Sequence, residues 1–144
     1  MRIALIQQTA SPDKAANLSK GLESMRLAAA SGADMVCFAE LAFEPFYPQR
    51  PAVGDPAELA ESVPGPITEA FQTTAKELGV VVVLNLFERD EKGTFDCSPV
   101  IDADGTLLGR TRMIHITEYA CFHEQGYYEP GDTGAPVFDT QVGR

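Results

Sequence analysis

The run from Val80 to Phe87, with the sequence VVVVLNLF, constrains the fold more than any other segment of the chain. It is continuously apolar and rich in β-branched residues, which is typical of a strand buried on both faces. Such a strand needs layers of structure on either side of it. Two segments with helical periodicity precede the run, so the sequence predicts a layered α/β fold.

Local signals place the other elements. Further strands are predicted at Arg2–Gln7, Asp34–Ala39, Phe95–Asp102, Thr106–Ile116 and Ala135–Asp139. One helix is predicted from Ser11 as N-cap and Pro12 as first residue to Ala30 or Ser31, with Gly32 as its stop, and a second from Pro66 to Gly79. Loops or turns are predicted at Leu41–Val63, Glu88–Thr94, Ala103–Gly105 and Thr117–Gly134. Early strands alternate with helices and later strands form hairpins, which indicates a mixed sheet.

The charge excludes some partners. The 144 residues include 11 Lys and Arg against 21 Asp and Glu, a formal net charge of −10. Nucleic acids and anionic membranes need a basic footprint, so neither is expected as a partner. No apolar run is long enough to span a membrane, and MRIALIQQ is a poor signal peptide, so we expect a cytoplasmic protein. The three cysteines lie far apart and do not form a disulfide framework.

Glu40 is the first candidate for chemistry, because it directly follows a predicted buried strand. In α/β folds the functional sites lie at this edge of the sheet. Apolar neighbours such as Phe38, Leu41, Phe43 and Phe46 would raise its pKa and suit it to general-base work. On position alone, a solvated carboxylate at a strand end is the simpler interpretation.

The loop after residue 114 holds the other candidates. His115, Cys121, His123 and Glu124 could form a metal site, but their spacing matches no familiar zinc pattern. The alternative role for Glu124 is that of a second carboxylate, which orients the first one or a substrate. No phosphate-binding loop, nucleophile elbow or dinucleotide fingerprint is present.

Taken in order, four segments of the sequence resemble the nitrilase, or carbon–nitrogen hydrolase, superfamily. They are MRIALIQ, GADMVCFAELAF, FDCSPVIDADGTLLGRTRMIHI and CFHEQGYYEPGD. The resemblance implies a four-layer α-β-β-α sandwich, of which residues 1–144 are the N-terminal portion, incomplete at the C-terminus. It is nearest the amidase branch that includes the N-carbamoylputrescine amidases, because of the long loop that ends in Tyr-Tyr-Glu-Pro-Gly-Asp-Thr-Gly.

The resemblance also implies roles for single residues. The family uses a Glu-Lys-Cys triad without a cofactor on small amides, carbamoyl amides or nitriles. Glu40 matches its general base, Glu124 its second glutamate, and His115 the histidine that ends its lysine strand. Pro45 and Phe46 fall where a family loop lines the substrate pocket. We also expect the complete protein to be a homo-oligomer.

Two departures from the family pattern matter. The lysine position is occupied by Met113, which can neither donate a hydrogen bond nor carry charge. Arg112 is a possible substitute, but in a regular strand it points to the other face, so substitution needs a bulge. None of Cys37, Cys97 and Cys121 fits the place of the nucleophile, which is expected beyond Arg144.

Three interpretations therefore remain. The first is an amidase-type hydrolase whose first 144 residues alone are inactive. The second is a nitrilase-like domain that lost catalysis and serves binding or assembly. The third is a metal-binding domain that uses His115, Cys121 and His123. Half a sandwich would also leave the strand Ala135–Asp139 and one sheet face without partners, so we expect association.

Overall fold

The sheet is mixed, with its parallel strands first and its antiparallel strands later in the chain. The computed structural model describes all 144 residues. Its strands are β1 (Ile3–Ile6), β2 (Met35–Phe38), β3 (Val81–Val83), β4 (Leu86–Asp90), β5 (Gly93–Ile101), β6 (Leu107–Arg112), β7 (Glu118–Tyr119) and β8 (Phe122–His123). Its helices are α1 (Lys14–Ala30) and α2 (Pro66–Leu78), with 3₁₀ turns at Tyr47–Gln49, Pro56–Glu58 and Glu124–Gly126. The predicted α/β architecture with a mixed sheet is confirmed.

Strand β5 organises the six-stranded sheet. The strands β1, β2 and β3 are parallel, and β3 pairs antiparallel with the C-terminal end of β5. The strand β4 pairs with the N-terminal part of β5, and β6 lies along its other side. The strands β3 and β4 therefore occupy the same edge of β5 one after the other. The predicted continuous strand Val80–Phe87 is broken between them, at Leu84 and Asn85.

The helix ends follow local chemistry, with one correction. The N-cap of α1 is Asp13, whose carboxylate accepts a hydrogen bond from the Ala16 N–H at 3.0 Å. Ser11, the predicted cap, instead bonds the side chain of Asn17. Helix α2 begins at Pro66 and ends at Gly79, which has a left-handed φ of 66°, as predicted.

Three further boundaries were predicted incorrectly. The strand β4 continues through Glu88 to Asp90, where a polar turn was expected, because two arginines neutralise Glu88 inside the sheet. The strand β6 ends at Arg112 rather than at Ile116. Residues 135–139 form no strand, since Pro136 has no N–H to donate and the Phe138 ring lies against Gly109 instead.

Two apolar clusters lie on opposite faces of the sheet. The larger one has 17 buried residues and packs α1 and α2 against one face, with Phe71 and Met25 at its centre. The smaller one lies under the loops on the other face and consists of Leu41, Ala60, Phe87, Tyr127 and Tyr128. None of the helices has the length and apolar character needed to cross a membrane.

Candidate active site

Glu40 lies in a turn just past β2, at the carboxyl ends of the parallel strands. The next residue, Leu41, has a φ of 45°, which is uncommon for a residue with a side chain. Its N–H donates a hydrogen bond of 2.8 Å to the side-chain oxygen of Asn85. This bond holds the strained backbone next to Glu40 in place.

Asn85 connects that turn to β5. Its amide nitrogen donates to Oδ1 of Asp96 at 2.7 Å and to Oγ of Ser98 at 3.2 Å. Asn85 and Asp96 are 8% and 5% exposed. The break between β3 and β4 therefore places one buried amide between the turn that carries Glu40 and the carboxylate of Asp96.

Three carboxyl groups converge at this place: those of Glu40, Asp96 and Glu124. Partial burial, together with the nearby carboxylates of Asp96 and Glu124, raises the pKa of Glu40 to about 7. Burial also raises the pKa of Asp96 to about 6, aided by Glu124 and opposed by the hydrogen bond from Asn85. A carboxyl group with a pKa near 7 is suited to take a proton at neutral pH.

Glu124 is fixed more firmly than Glu40. It is 6% exposed, and its Oε2 accepts hydrogen bonds from the N–H and the hydroxyl of Thr117 at 2.8 and 2.7 Å. Its backbone carbonyl accepts from the N–H groups of Tyr127 and Tyr128, both at 2.8 Å. This loop therefore holds its carboxylate in a single orientation.

Met113 follows β6 and lies beside Asp96, to whose carbonyl its N–H donates at 2.9 Å. It packs against the small apolar cluster. None of Glu40, Asp96 and Glu124 has a basic side chain within ion-pairing distance. The position expected for a lysine therefore brings no charge to the three carboxyl groups.

Arg112 does not supply that charge either, which corrects the suggestion that it substitutes for the lysine. It pairs with Cys97 in the register of β5 and β6, on the face opposite to Asp96. Its guanidinium binds both carboxylate oxygens of Glu88 at 2.8 Å and Oδ1 of Asp132 at 2.9 Å, and it also contacts Asp90. Strand β6 has no bulge at Arg112 that would turn this side chain toward the face of Asp96. The N–H groups of the guanidinium are already bonded to Glu88, Asp90 and Asp132.

The predicted pocket residues lie in two different pockets. Pro45 and Phe46 line a pocket of about 520 Å³, together with Tyr47, Arg50 and Tyr127. His115 lines a separate pocket of about 470 Å³ with Gln125 and Tyr128. Phe46 reaches toward the second loop, since its ring lies 5.4 Å from that of Phe122.

The three cysteines lie within the sheet or at the tip of a hairpin. Cys97 is fully buried on the helix side of the sheet, and burial raises the pKa of its thiol well above the ordinary range. Cys37 is half-buried within β2, and burial raises the pKa of its thiol too. Cys121 is exposed at the tip of the β7–β8 hairpin. The raised pKa values of Cys97 and Cys37 are the opposite of what an activated nucleophile needs.

The residues of the suggested metal set are not gathered together. Nδ1 of His123 lies 2.8 Å from a carboxylate oxygen of Glu118, and Glu124 binds Thr117. No group of three His, Cys, Asp or Glu side chains is arranged to hold a metal ion.

Sequence reasoning did not identify Asp96, Asn85 or Tyr128 as parts of the site. Asn85 carried a usable signal, because it is the single polar residue in an otherwise apolar run. Such a residue in a buried strand must find hydrogen-bond partners. Tyr128 is 4% exposed, and its hydroxyl has no hydrogen-bond partner.

The layered fold and the carboxyl groups at its strand ends define the class of protein. The chain belongs to the carbon–nitrogen hydrolase family, whose sequence model matches residues 2–144. An N-carbamoylputrescine amidase of Solanum lycopersicum is 34% identical over 143 residues, which are 99% of this chain and 47% of the relative. A citrullinase of Francisella tularensis is 27% identical over 146 aligned residues, which cover 50% of its length.

Solved structures show the same fold. A carbon–nitrogen hydrolase from Helicobacter pylori G27 superposes with a TM-score of 0.86 at 23% identity, over 99% of this chain and 49% of its own. A double mutant of an amidase from Nesterenkonia sp. AN1, in complex with acrylamide, gives a TM-score of 0.81 at 22% identity, over 100% of this chain and 53% of its own. The chain thus spans about half the length of the relatives it matches.

Proposed function

We propose that the protein containing these residues hydrolyses non-peptide C–N bonds in small amides, carbamoyl amides or nitriles, with Glu40 as general base. The observation that carries this proposal is the carboxyl group of Glu40, which lies at the strand ends beside Asp96 and Glu124 and has a pKa of about 7. Membership of the carbon–nitrogen hydrolase family supports it. Because the chain spans about half of its relatives, the activity belongs to the whole protein.

In the proposed reaction, Glu40 removes the proton of a cysteine thiol that residues outside these 144 supply. The thiolate attacks the carbonyl carbon of an amide or carbamoyl amide, and the protonated Glu40 returns the proton to the leaving nitrogen. With a nitrile, the proton goes to the nitrogen of the thioimidate that forms, and ammonia leaves after a first water adds. Water then releases the acyl group, with Glu40 again as base. Glu124, held by Thr117, orients the substrate. A chain of these 144 residues alone is inactive in this scheme, because none of its own cysteines matches the place of the family nucleophile.

The test is hydrolysis by the complete protein of a carbamoyl amine, a primary amide and a nitrile. Replacing Glu40 by Gln should lower kcat/KM by about 10²–10⁴-fold on whichever of the three is turned over, because the base is lost. Glu23→Gln, which removes an exposed carboxylate on α1, is the matched control and should leave the rate unchanged. Equal activity of Glu40→Gln and the parent would refute the role of Glu40.

A second function is favoured by one observation. Met113 leaves the carboxyl groups without a cation, which fits a nitrilase-like module that has lost catalysis and serves binding or assembly. Met113→Lys in the complete protein separates the two. If the parent protein is inactive and Met113→Lys hydrolyses a substrate, the module is favoured. If the parent is already active and Met113→Lys does not change the rate, another residue performs the lysine's role.

A further inference from the structure

We propose that Asp96 is the positioning residue of Glu40, and that the two carboxyl groups hold one proton between them. The catalytic meaning of this pair rests on the proposed function. The pairing itself is a property of the folded chain and can be measured without a substrate.

Asn85 connects Asp96 mechanically to the turn that carries Glu40. Asn85 accepts a hydrogen bond from the N–H of Leu41 and donates one to Asp96, at 2.8 and 2.7 Å. Leu41 has a φ of 45°, so the turn that carries Glu40 is held in a conformation which it would not keep alone. One buried amide thus fixes the position of Asp96 relative to the backbone beside Glu40.

The charges around the pair do not balance two ionised carboxyl groups. The groups that face the pair are the carboxylate of Glu124 and the hydroxyl of Tyr128, and Tyr128 in turn faces the carboxylate of Glu44. Lys14 lies 2.8 Å from Glu44, and the arginines of β6 pair with Glu88. No cation is left to stabilise Glu40 and Asp96 when both are ionised. Like-charged carboxylates that share a site retain a proton instead.

Two polar atoms at the pair have no hydrogen-bond partner. Oδ2 of Asp96 and the hydroxyl of Tyr128 are buried and make no hydrogen bond. An ionised carboxylate oxygen that is buried without a donor carries a large desolvation penalty. A proton on this carboxyl pair removes one charge and converts an unpartnered acceptor into a donor toward Glu40.

The experiment is a titration of the purified protein with ¹³C-labelled Asp and Glu carboxyl groups, followed by NMR without substrate. We expect Glu40 and Asp96 to report the same two-step titration, with one step near neutral pH, because interacting groups titrate as a pair. In Asp96→Asn, which preserves shape and the acceptor for Asn85, Glu40 should titrate in one step, at a pH lower by about one unit or more.

Asp104→Asn is the matched control. Asp104 is an exposed acid in the hairpin turn before β6, so this variant makes the same change of net charge away from the site. It should leave the Glu40 titration as it is. An unchanged Glu40 titration in Asp96→Asn would overturn the proposal. Should that variant fail to fold, a single independent Glu40 step near its ordinary pKa in the parent protein would overturn it as well.

Activity measurements separate this pair from the proposed function. If hydrolysis is found, Asp96→Asn should shift the acidic limb of the kcat/KM profile to lower pH, which loss of packing alone would not do. A paired titration in a protein that hydrolyses none of the three substrates would support the pair and remove the proposed function. Hydrolysis of a substrate by a protein in which Glu40 and Asp96 titrate independently would support the proposed function and overturn the pair.

Discussion

At the scale of single residues, Met113 leaves the site without a cation. It packs against the small apolar cluster, its N–H donates to the Asp96 carbonyl, and no basic side chain pairs with any of the three carboxyl groups. Partial burial and the nearby carboxylates of Asp96 and Glu124 raise the pKa of Glu40 to about 7. The sequence alone singled out Glu40, Glu124 and Met113 as candidates, because each stands in a motif that resembles the family's. It did not identify Asp96, whose importance depends on a hydrogen bond from Asn85 in another strand.

Replacing Met113 by Lys should lower the pKa of Glu40 by about 1–3 units, since an ammonium group favours ionised carboxyl groups nearby. In the parent protein the folded state binds protons more tightly than the unfolded chain, because the pKa values of Glu40 and Asp96 are raised. Its free energy of unfolding should therefore fall as the pH rises from about 4 to about 7. In Met113→Lys this fall should be smaller.

Urea denaturation at pH 4.5, 6 and 8 measures this difference. Ile114→Lys is the control, because Ile114 is adjacent but 46% exposed. It should keep the pH dependence of the parent. If Met113→Lys and Ile114→Lys show the same pH dependence, the assignment of Met113 to the carboxyl cluster is wrong.

At the scale of elements, local signals were sufficient for the helices and insufficient for the edge strand β4. Helix α2 was predicted at both ends because Pro66 and Gly79 act within their own turns. The break at Asn85 depends on partners 44 and 11 residues away in the sequence. The continuation of β4 through Glu88 depends on arginines of β6, so a local reading could only assign that acidic segment to a turn.

The ion cluster around Glu88 gives a prediction for this part of the sheet. Arg112→Met leaves Glu88, which is 0% exposed, with Arg110 as its remaining partner. The expected cost in the free energy of unfolding is about 3 kcal/mol, because a buried carboxylate loses most of its compensation. Chemical denaturation at pH 7 provides the measurement.

The control for this prediction is Arg26→Gln. Arg26 pairs with Glu77 at 3.6 Å, and both side chains are about half exposed. Loss of such a surface pair costs about 0–1 kcal/mol. If both variants are destabilised equally, the cluster contributes no more than a surface ion pair does.

At the scale of the whole molecule, one face of the β1–β3 sheet is only partly covered. Ile3 and Leu5 are 46% and 78% exposed, and Met35, Cys37 and Val83 are half-buried. The expectation of a free strand at Ala135–Asp139 was wrong, but that segment still leaves much of this face open. Apolar surface of this kind favours association.

Sedimentation velocity of the 144-residue chain tests this point. The chain should associate at micromolar concentration, and Leu5→Glu should shift it toward the monomer by placing a charge on the apolar face. Val53→Glu is the control, because Val53 is 95% exposed in a loop outside this face. A parent chain that sediments as a monomer would contradict the expectation.

Residues 114–130 leave the sheet at the end of β6 and return beside the same point. Met113 donates to Asp96, and its carbonyl accepts from the N–H of Gly131 at 2.8 Å. Gly131 approaches so closely that a Cβ there would lie 2.4 Å from the carbonyl oxygen of Arg112. Between these ends the segment is also bound to β5, since the Glu129 N–H donates to the Thr94 carbonyl at 2.8 Å and the Thr94 hydroxyl donates to the Tyr127 carbonyl. Freedom to vary is therefore confined to the exposed β7–β8 hairpin, whose length and sequence can change without moving Glu124 or β5.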